Sequence, residues 1–119
     1  MTARLHDAGF LHEDFHPGNL LWAGRSLTGI VDWVNTCVGP AEVDAAHVRV
    51  NLAALWDVAN ADRVVAGHPA WDIEAAFDFL DWGSRDAVET WPRPWPELDV
   101  ATTRIRLEAF VAQAVAQLG

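Results

Sequence analysis

Lysine is absent from this 119-residue chain: all eight cationic side chains are arginines, at positions 4, 25, 49, 63, 85, 93, 104 and 106. The residue that ordinarily clamps the phosphates of a nucleotide is therefore missing. Cysteine occurs once, at Cys37, so no disulfide closes within the chain, and no motif around it marks a nucleophile. No apolar run approaches the ~20 residues of a membrane span, and no charged segment followed by an apolar core opens the chain as a secretory leader. A cytoplasmic location is the default expectation. Positive charge is scarce, with 8 basic against 17 acidic residues and a net charge of −9. That balance disfavours a nucleic-acid partner bound through a basic surface and favours the approach of a cationic small molecule. Repeats, low-complexity stretches and a second domain boundary are all lacking. With 51% apolar and 21% charged residues, the composition is that of a soluble globular protein, and the length fits one domain, 1–119.

What the chain does carry is concentrated near its start. His12-Glu13-Asp14-Phe15-His16-Pro17-Gly18-Asn19 is followed by Ile30-Val31-Asp32-Trp33. A tight loop, stiffened by Pro17 and turned by Gly18, separates Asp14 from Asn19 and can aim both side chains into one cleft. Two short apolar runs, Leu20-Leu21-Trp22 and Leu27-Thr28-Gly29-Ile30-Val31, flank Ala23-Gly24-Arg25-Ser26, which predicts a β-hairpin with glycine in its turn. A hairpin closes its two ends together, so Asn19 and Asp32 are expected to be neighbours. A carboxylate to receive an acceptor proton and two hard oxygen ligands for a divalent ion are what phosphoryl transfer requires. Taken singly, Asp and Asn in a Pro-Gly loop are ordinary turn formers; the joint spacing is what points to chemistry.

The order H-x-D-x-x-x-x-N, a hairpin, then Asp resembles the catalytic and metal-binding segments of the protein-kinase-like superfamily. The wording F-L-H-x-D-F-H-P-G-N-L-L-W, G-I-V-D-W and G-P-A-E-V-D-A-A is most similar to the aminoglycoside phosphotransferase and choline kinase branch, densely over the first forty-odd residues and loosely beyond. The resemblance implies that Asp14 is the catalytic base and that Asn19 and Asp32 bind Mg²⁺, with ATP as phosphoryl donor. His12 takes a supporting, scaffold role. His16 stands where protein kinases place a phosphate-contacting lysine. Asp44 resembles the family's buried aspartate, which hydrogen-bonds the catalytic loop and caps the following helix. Two positions depart from the pattern. Glu13 replaces the branch's usual glycine, which strains the loop if that glycine serves a positive φ and is harmless if it only gives clearance. Trp33 replaces the phenylalanine of the kinase D-F-G triplet, as is ordinary in this branch. With no glycine-rich phosphate loop before residue 12 and no lysine-bearing strand, the resemblance implies a C-terminal lobe whose N-terminal nucleotide-binding lobe is missing.

Beyond the motif the chain reads as helices. Val43, Ala46, His47, Val50 and Ala54 recur at helical spacing with Glu42 and Asp44 at the N-terminal end, predicting a deeply buried helix with His47 packed in the core. Residues 70–82 place Ile73, Ala76, Phe77 and Leu80 on an apolar face and Glu74, Asp78 and Asp81 on an acidic one. That acidic stripe is either a solvated helix face or, as in aminoglycoside phosphotransferases, a set of carboxylates for substrate ammonium groups. Trp91-Pro92-Arg93-Pro94-Trp95-Pro96 predicts a stiff connector. A final helix is expected from an N-cap at Asp99, with Thr103, Leu107, Phe110, Val111, Ala114 and Leu118 inward. Residues 3–10 read as the last turns of a helix ended by Gly9.

The expected fold is thus α+β and mainly helical, a kinase-like C-terminal lobe with a small hairpin after the catalytic loop. The expected function is ATP-dependent transfer of the γ-phosphoryl group to a hydroxyl of a small alcohol or amino alcohol, with no nucleic-acid or membrane partner. Two rivals stand beside it. One is a non-catalytic remnant that pairs with a missing lobe, or with itself, through an exposed face. The other is a metallohydrolase using His12, Glu13, Asp14 and His16 around a transition metal.

Overall fold

The computed structural model describes residues 8–82 and 100–119. Strand β1 (Ala8–Leu11) leads into a loop that closes in a 3₁₀ turn at Pro17–Asn19; β2 (Leu20–Ala23), β3 (Ser26–Ile30) and β4 (Cys37–Pro40) follow. Four helices complete the described chain: α1 (Glu42–Leu55), α2 (Val58–Val64), α3 (Pro69–Trp82) and α4 (Val100–Leu118). The fold is α+β and mainly helical, as the pattern predicts. Among the described residues no helix is long and apolar enough to cross a membrane.

The hairpin forms where it is expected, β2 pairing antiparallel with β3 from Leu20↔Ile30 to Ala23↔Ser26. Gly24 sits at φ +60 in its turn, the left-handed region that glycine enters without steric cost. The opening segment differs from the expectation. Residues 8–10 are not the end of a helix but part of β1, paired antiparallel with β4 from Ala8↔Pro40 to Leu11↔Cys37. Local composition suggested a helix terminus at Gly9, whereas the ladder partner lies about thirty positions away and leaves no trace in local spacing. Alternation is visible only afterwards: Leu11 is buried and Phe10 exposed. Residues 3–7, the Trp91–Pro96 connector and the Asp99 cap lie outside the described residues.

Helix α1 is the centre of the molecule and packs against α2, α3 and α4. Its Ala46, Val48, Val50, Leu52, Ala53 and Ala54 are buried, and with Ala61, Ala76, Leu107 and Phe110 they supply most of the hydrophobic core. Alanine at so many contact points lets the helix backbones approach closely. Helix α2, which the spacing did not indicate, starts at Asp57, whose carboxylate accepts from the Asn60 N–H at 2.8 Å. Such a cap satisfies one of the helix's orphan donors. Arg106 of α4 closes the other end of α1, donating to the carbonyls of Ala54 and Leu55 at 3.1 and 2.9 Å.

A buried cation fixes the helices relative to one another. Arg49 on α1 donates through Nε to both oxygens of Asp72 on α3 at 3.1 Å, through Nη1 to the Val65 carbonyl at 2.7 Å, and through Nη2 to Asp62 on α2 at 2.8 Å. Its guanidinium lies 5.6 Å from the ring centre of Phe110 on α4. Burial pushes the Asp72 carboxyl up, with Arg49 pulling against it. The Gln113 amide foremost, aided by Arg49, holds Asp62 down. The backbone passes so close to this pair that a Cβ on Gly67 would stand 2.6 Å from Asp72 Oδ2 and 2.7 Å from Arg49 Nη2.

The ion pair also explains why α3 presents a different face from the predicted one. Asp72 and Ala76 point inward, with Ala75 and Phe79 half-buried against the core, while Phe77 and Leu80 are exposed. They line an open groove of about 570 Å³ with Leu107, Glu108 and Val111 of α4. In α4 itself Thr103, Leu107, Phe110 and Ala114 are buried as expected, Val111 packs partly, and Leu118 is exposed. The Thr103 hydroxyl is buried without a hydrogen-bond partner among the described residues. Thr103→Val removes that unsatisfied group at nearly constant shape and is expected to stabilise the fold by about 1 kcal/mol, read as an increased urea midpoint with an unchanged slope.

Candidate active site

His12 organises the loop. It is buried, and its two ring nitrogens face different partners: Nδ1 accepts from the Asp14 N–H at 3.2 Å, which leaves Nε2 to donate to the Val31 carbonyl at 2.8 Å. The imidazole packs against Trp33 at 4.6 Å and Phe15 at 6.0 Å between ring centres, and Trp33 Nε1 donates to the Ile30 carbonyl at 2.8 Å. One side chain therefore ties the residue carrying the candidate base to the strand end that carries Asp32. From α1, Asp44 holds the same loop by two backbone donors, accepting from the His12 N–H at 2.7 Å and the Glu13 N–H at 2.9 Å. Asp44 lies in the first turn of α1 and spends both oxygens on the loop. The helix itself starts after Ala41 without a side-chain cap, so the capping half of the expected Asp44 role is not met.

Asp14 and Asn19 come together. The Asn19 side-chain amide is buried and donates from Nδ2 to the Asp14 carbonyl at 2.9 Å and to Asp14 Oδ2 at 3.2 Å. With the amide nitrogen committed, the Asn19 Oδ1 is the remaining acceptor. Across the hairpin base the Val31 N–H donates to the Asn19 carbonyl at 2.9 Å, so Asp32 follows one residue beyond Asn19's partner. Asp32 is exposed and adopts φ 62, a left-handed conformation that Asp tolerates better than most residues. Its carboxylate makes no hydrogen bond with another described residue.

Glu13 settles one alternative. It sits at φ 64, so the usual glycine of this position would serve a positive φ, and glutamate is the strained replacement. Glu13→Gly removes a left-handed penalty of roughly 1–2 kcal/mol and adds back about 0.5–1 kcal/mol of unfolded-chain entropy. A net gain of a few degrees in melting temperature is expected, with the Asp44 contacts intact; an unchanged or lower melting temperature contradicts this reading of the loop.

Three side chains surround the candidate base. Besides the Asn19 amide, two histidines face it. His16 Nδ1 accepts from the Gly18 N–H at 3.1 Å, which places the ring proton on Nε2, and that nitrogen faces Asp14 Oδ1 at 3.5 Å. His47 on α1 faces the same oxygen at 3.6 Å. It is not the packed core histidine that its helical spacing suggests; it is half-buried and turned into the site. Burial pushes the His47 imidazole below its ordinary value, while Asp14 pulls it back up. The available signal was its place three residues after Asp44, on the helix that already anchors the loop. Glu74 and Asp78 are exposed on α3, a helix that packs on α1 and α4, and neither contacts the loop by a hydrogen bond or ion pair among the described residues. The side chain of Asp81 lies outside the described residues.

The model of the phosphotransferase enzyme family matches residues 1–88. The chain belongs to that family. No curated protein and no solved structure matches it. The matched span covers the loop, the hairpin and helices α1 to α3, which carry every residue named above for the site. Membership also bears on the metallohydrolase alternative. Both nitrogens of His12 are spent on the backbone, and the His16 tautomer directs a proton, not a lone pair, at Asp14. Among the described residues no three His, Cys, Asp or Glu side chains are grouped to hold a metal ion.

Proposed function

We propose that this phosphotransferase-family chain moves the γ-phosphoryl group of ATP to a hydroxyl of a small, amine-bearing molecule. The observation that carries the reading is the pairing of Asp14 with Asn19 through two Nδ2 bonds, at the foot of a hairpin whose other arm delivers Asp32. Asp14 orients the acceptor hydroxyl and takes its proton. Asn19, through Oδ1, and Asp32, through its carboxylate, are the ligands for Mg²⁺. That ion, when bound, neutralises charge developing on the phosphate oxygens. His12 and Asp44 fix the loop so that base and ligands keep their separation, which is how positioning lowers such a barrier. The amine on the acceptor is supported by the net charge of −9 and by the exposed carboxylates Glu74 and Asp78.

The test is phosphoryl transfer from Mg-ATP to a panel of amino alcohols by the protein and by Asp14→Asn. Transfer that survives this substitution unchanged removes Asp14 from the role. A second reading, a binding or assembly module without turnover, is favoured by the absence of lysine and by the exposure of Phe10, Val34 and Val38 on the strand side. Calorimetry with Mg-ATP separates the two, since micromolar binding supports the transferase and its absence supports the module.

A further inference from the structure

The two oxygens of Asp14 have different surroundings. Oδ2 is held by Asn19, and Oδ1 stands opposite two imidazole nitrogens at 3.5 and 3.6 Å. These separations lie just outside hydrogen-bond range, the distance at which catalytic contacts without substrate commonly stand before they tighten. His16 comes from the same loop as Asp14 and moves with it. His47 does not. It projects from α1 between Ala46 and Val48, both buried, two residues before Arg49 at the centre of the ion network. That helix packs against α2, α3 and α4 and also touches the 3₁₀ turn that ends at Asn19.

We propose that His47 is a positioning residue for Asp14, transmitting the fixed position of α1 to the Oδ1 oxygen that receives the acceptor proton. The idea rests on the reading of Asp14 as the base. Asn19 sets one edge of the carboxylate, and His47 sets the other from outside the loop, so the carboxylate plane is held rather than free to rotate. Nothing in the loop motif encodes this contact. The charged and titratable groups facing His47 are Asp14, His16, Asp44 and Glu13. Asp14, at 3.6 Å, exerts the largest pull on it toward the protonated form.

The coupling is measurable without turnover. In the ¹³C-histidine-labelled protein, the imidazole titration of His47 is followed by NMR, with the resonance assigned by its loss in His47→Gln. His68 serves as a control because it lies beside Asp72, away from the loop. Replacing Asp14 by Asn removes the charge and is expected to lower the His47 midpoint by about half a pH unit or more, the scale of a partly screened pair at this separation, with His68 unmoved. A His47 midpoint that ignores the Asp14 charge overturns the proposal. The functional arm uses the same Mg-ATP and amino-alcohol assay. His47→Ala is expected to lower kcat about tenfold with KM for ATP unchanged, and His47→Gln, which offers an amide near the Nε2 position, to restore most of it. Equal loss in both variants, or loss carried by KM for ATP, overturns the positioning role. NMR coupling present with transfer unaffected by Asp14→Asn leaves the contact standing and refutes the base assignment instead.

Discussion

Asp72→Ala is expected to destabilise the protein by about 3–5 kcal/mol, because it strands the Arg49 guanidinium in the interior without its principal partner. The magnitude follows from what Arg49 touches. It is buried, it bonds both Asp72 oxygens, and among the described residues its remaining donors reach only Asp62 and the Val65 carbonyl. Total stabilities of small domains are about 5–15 kcal/mol, so the loss takes a large share. Urea unfolding followed by circular dichroism measures it, and a change below about 1 kcal/mol contradicts the central place given to this pair. The double variant Arg49→Met/Asp72→Leu separates two meanings of the network. Apolar replacement of a whole buried ion pair is often neutral or stabilising, so the double variant is expected to recover most of the loss. If instead it folds but loses the loop geometry, the pair serves orientation beyond stability.

The acid limb of the stability curve has a defined sign. Asp62 has its folded value lowered, so its contribution is present above the unfolded value and is lost as pH falls through the folded one. Asp72 is raised by burial and acts oppositely, its penalty easing as pH falls. His47 is lowered, so the unfolded chain binds a proton more readily and stability declines as pH drops below about 6.5.

Asp14→Asn is expected to cost on the order of 10²–10⁴ in phosphoryl transfer, the usual worth of a positioned general base, with little change in unfolding free energy. The substitution is nearly isosteric. The Asn19 amide still finds the backbone carbonyl of residue 14 and a side-chain oxygen to bond, so the loop keeps its shape while the proton acceptor is gone. Mg-ATP affinity is expected to stay within a few-fold, since the proposed metal ligands are Asn19 and Asp32. A phosphoryl-transfer transition state is loose and demands much of its catalysis from placement; a loss near the lower bound therefore assigns Asp14 mainly to orienting the hydroxyl, and a loss near the upper bound assigns it to taking the proton. An Asp14→Asn protein that also melts early would show that the carboxylate is a structural member of the loop.

The framework of the candidate site was more legible than its surroundings because its information is local. Asp14, Asn19, Asp32 and Asp44 are separated by short, well-formed intervals, a Pro-Gly turn and a hairpin with glycine, whose geometry follows from local turn chemistry without distant contacts. The same holds for α1 and α4, where apolar spacing alone places Val50, Ala54, Leu107, Phe110 and Ala114 inside. The opening strand failed this kind of reading because its partner β4 is remote in sequence. His47 failed for a related reason: its helical register marks it as inward, yet inward at that level of the helix is the loop that carries Asp14 rather than the core.

Residue order by itself determined that Asp14 and Asn19 share a loop, that a hairpin returns Asp32 to its foot, and that α1, α3 and α4 are helices, because each depends on neighbours within a few bonds or turns. Tertiary packing decided the remainder. A buried arginine needs its counter-charge in one place, so Arg49 turned α3 to bring Asp72 inward and left Phe77 and Leu80 outside. Docking the loop on α1 through Asp44 goes with a positive φ at Glu13 and brings His47 to the candidate base, since those contacts exist only once segments distant in the chain are packed together.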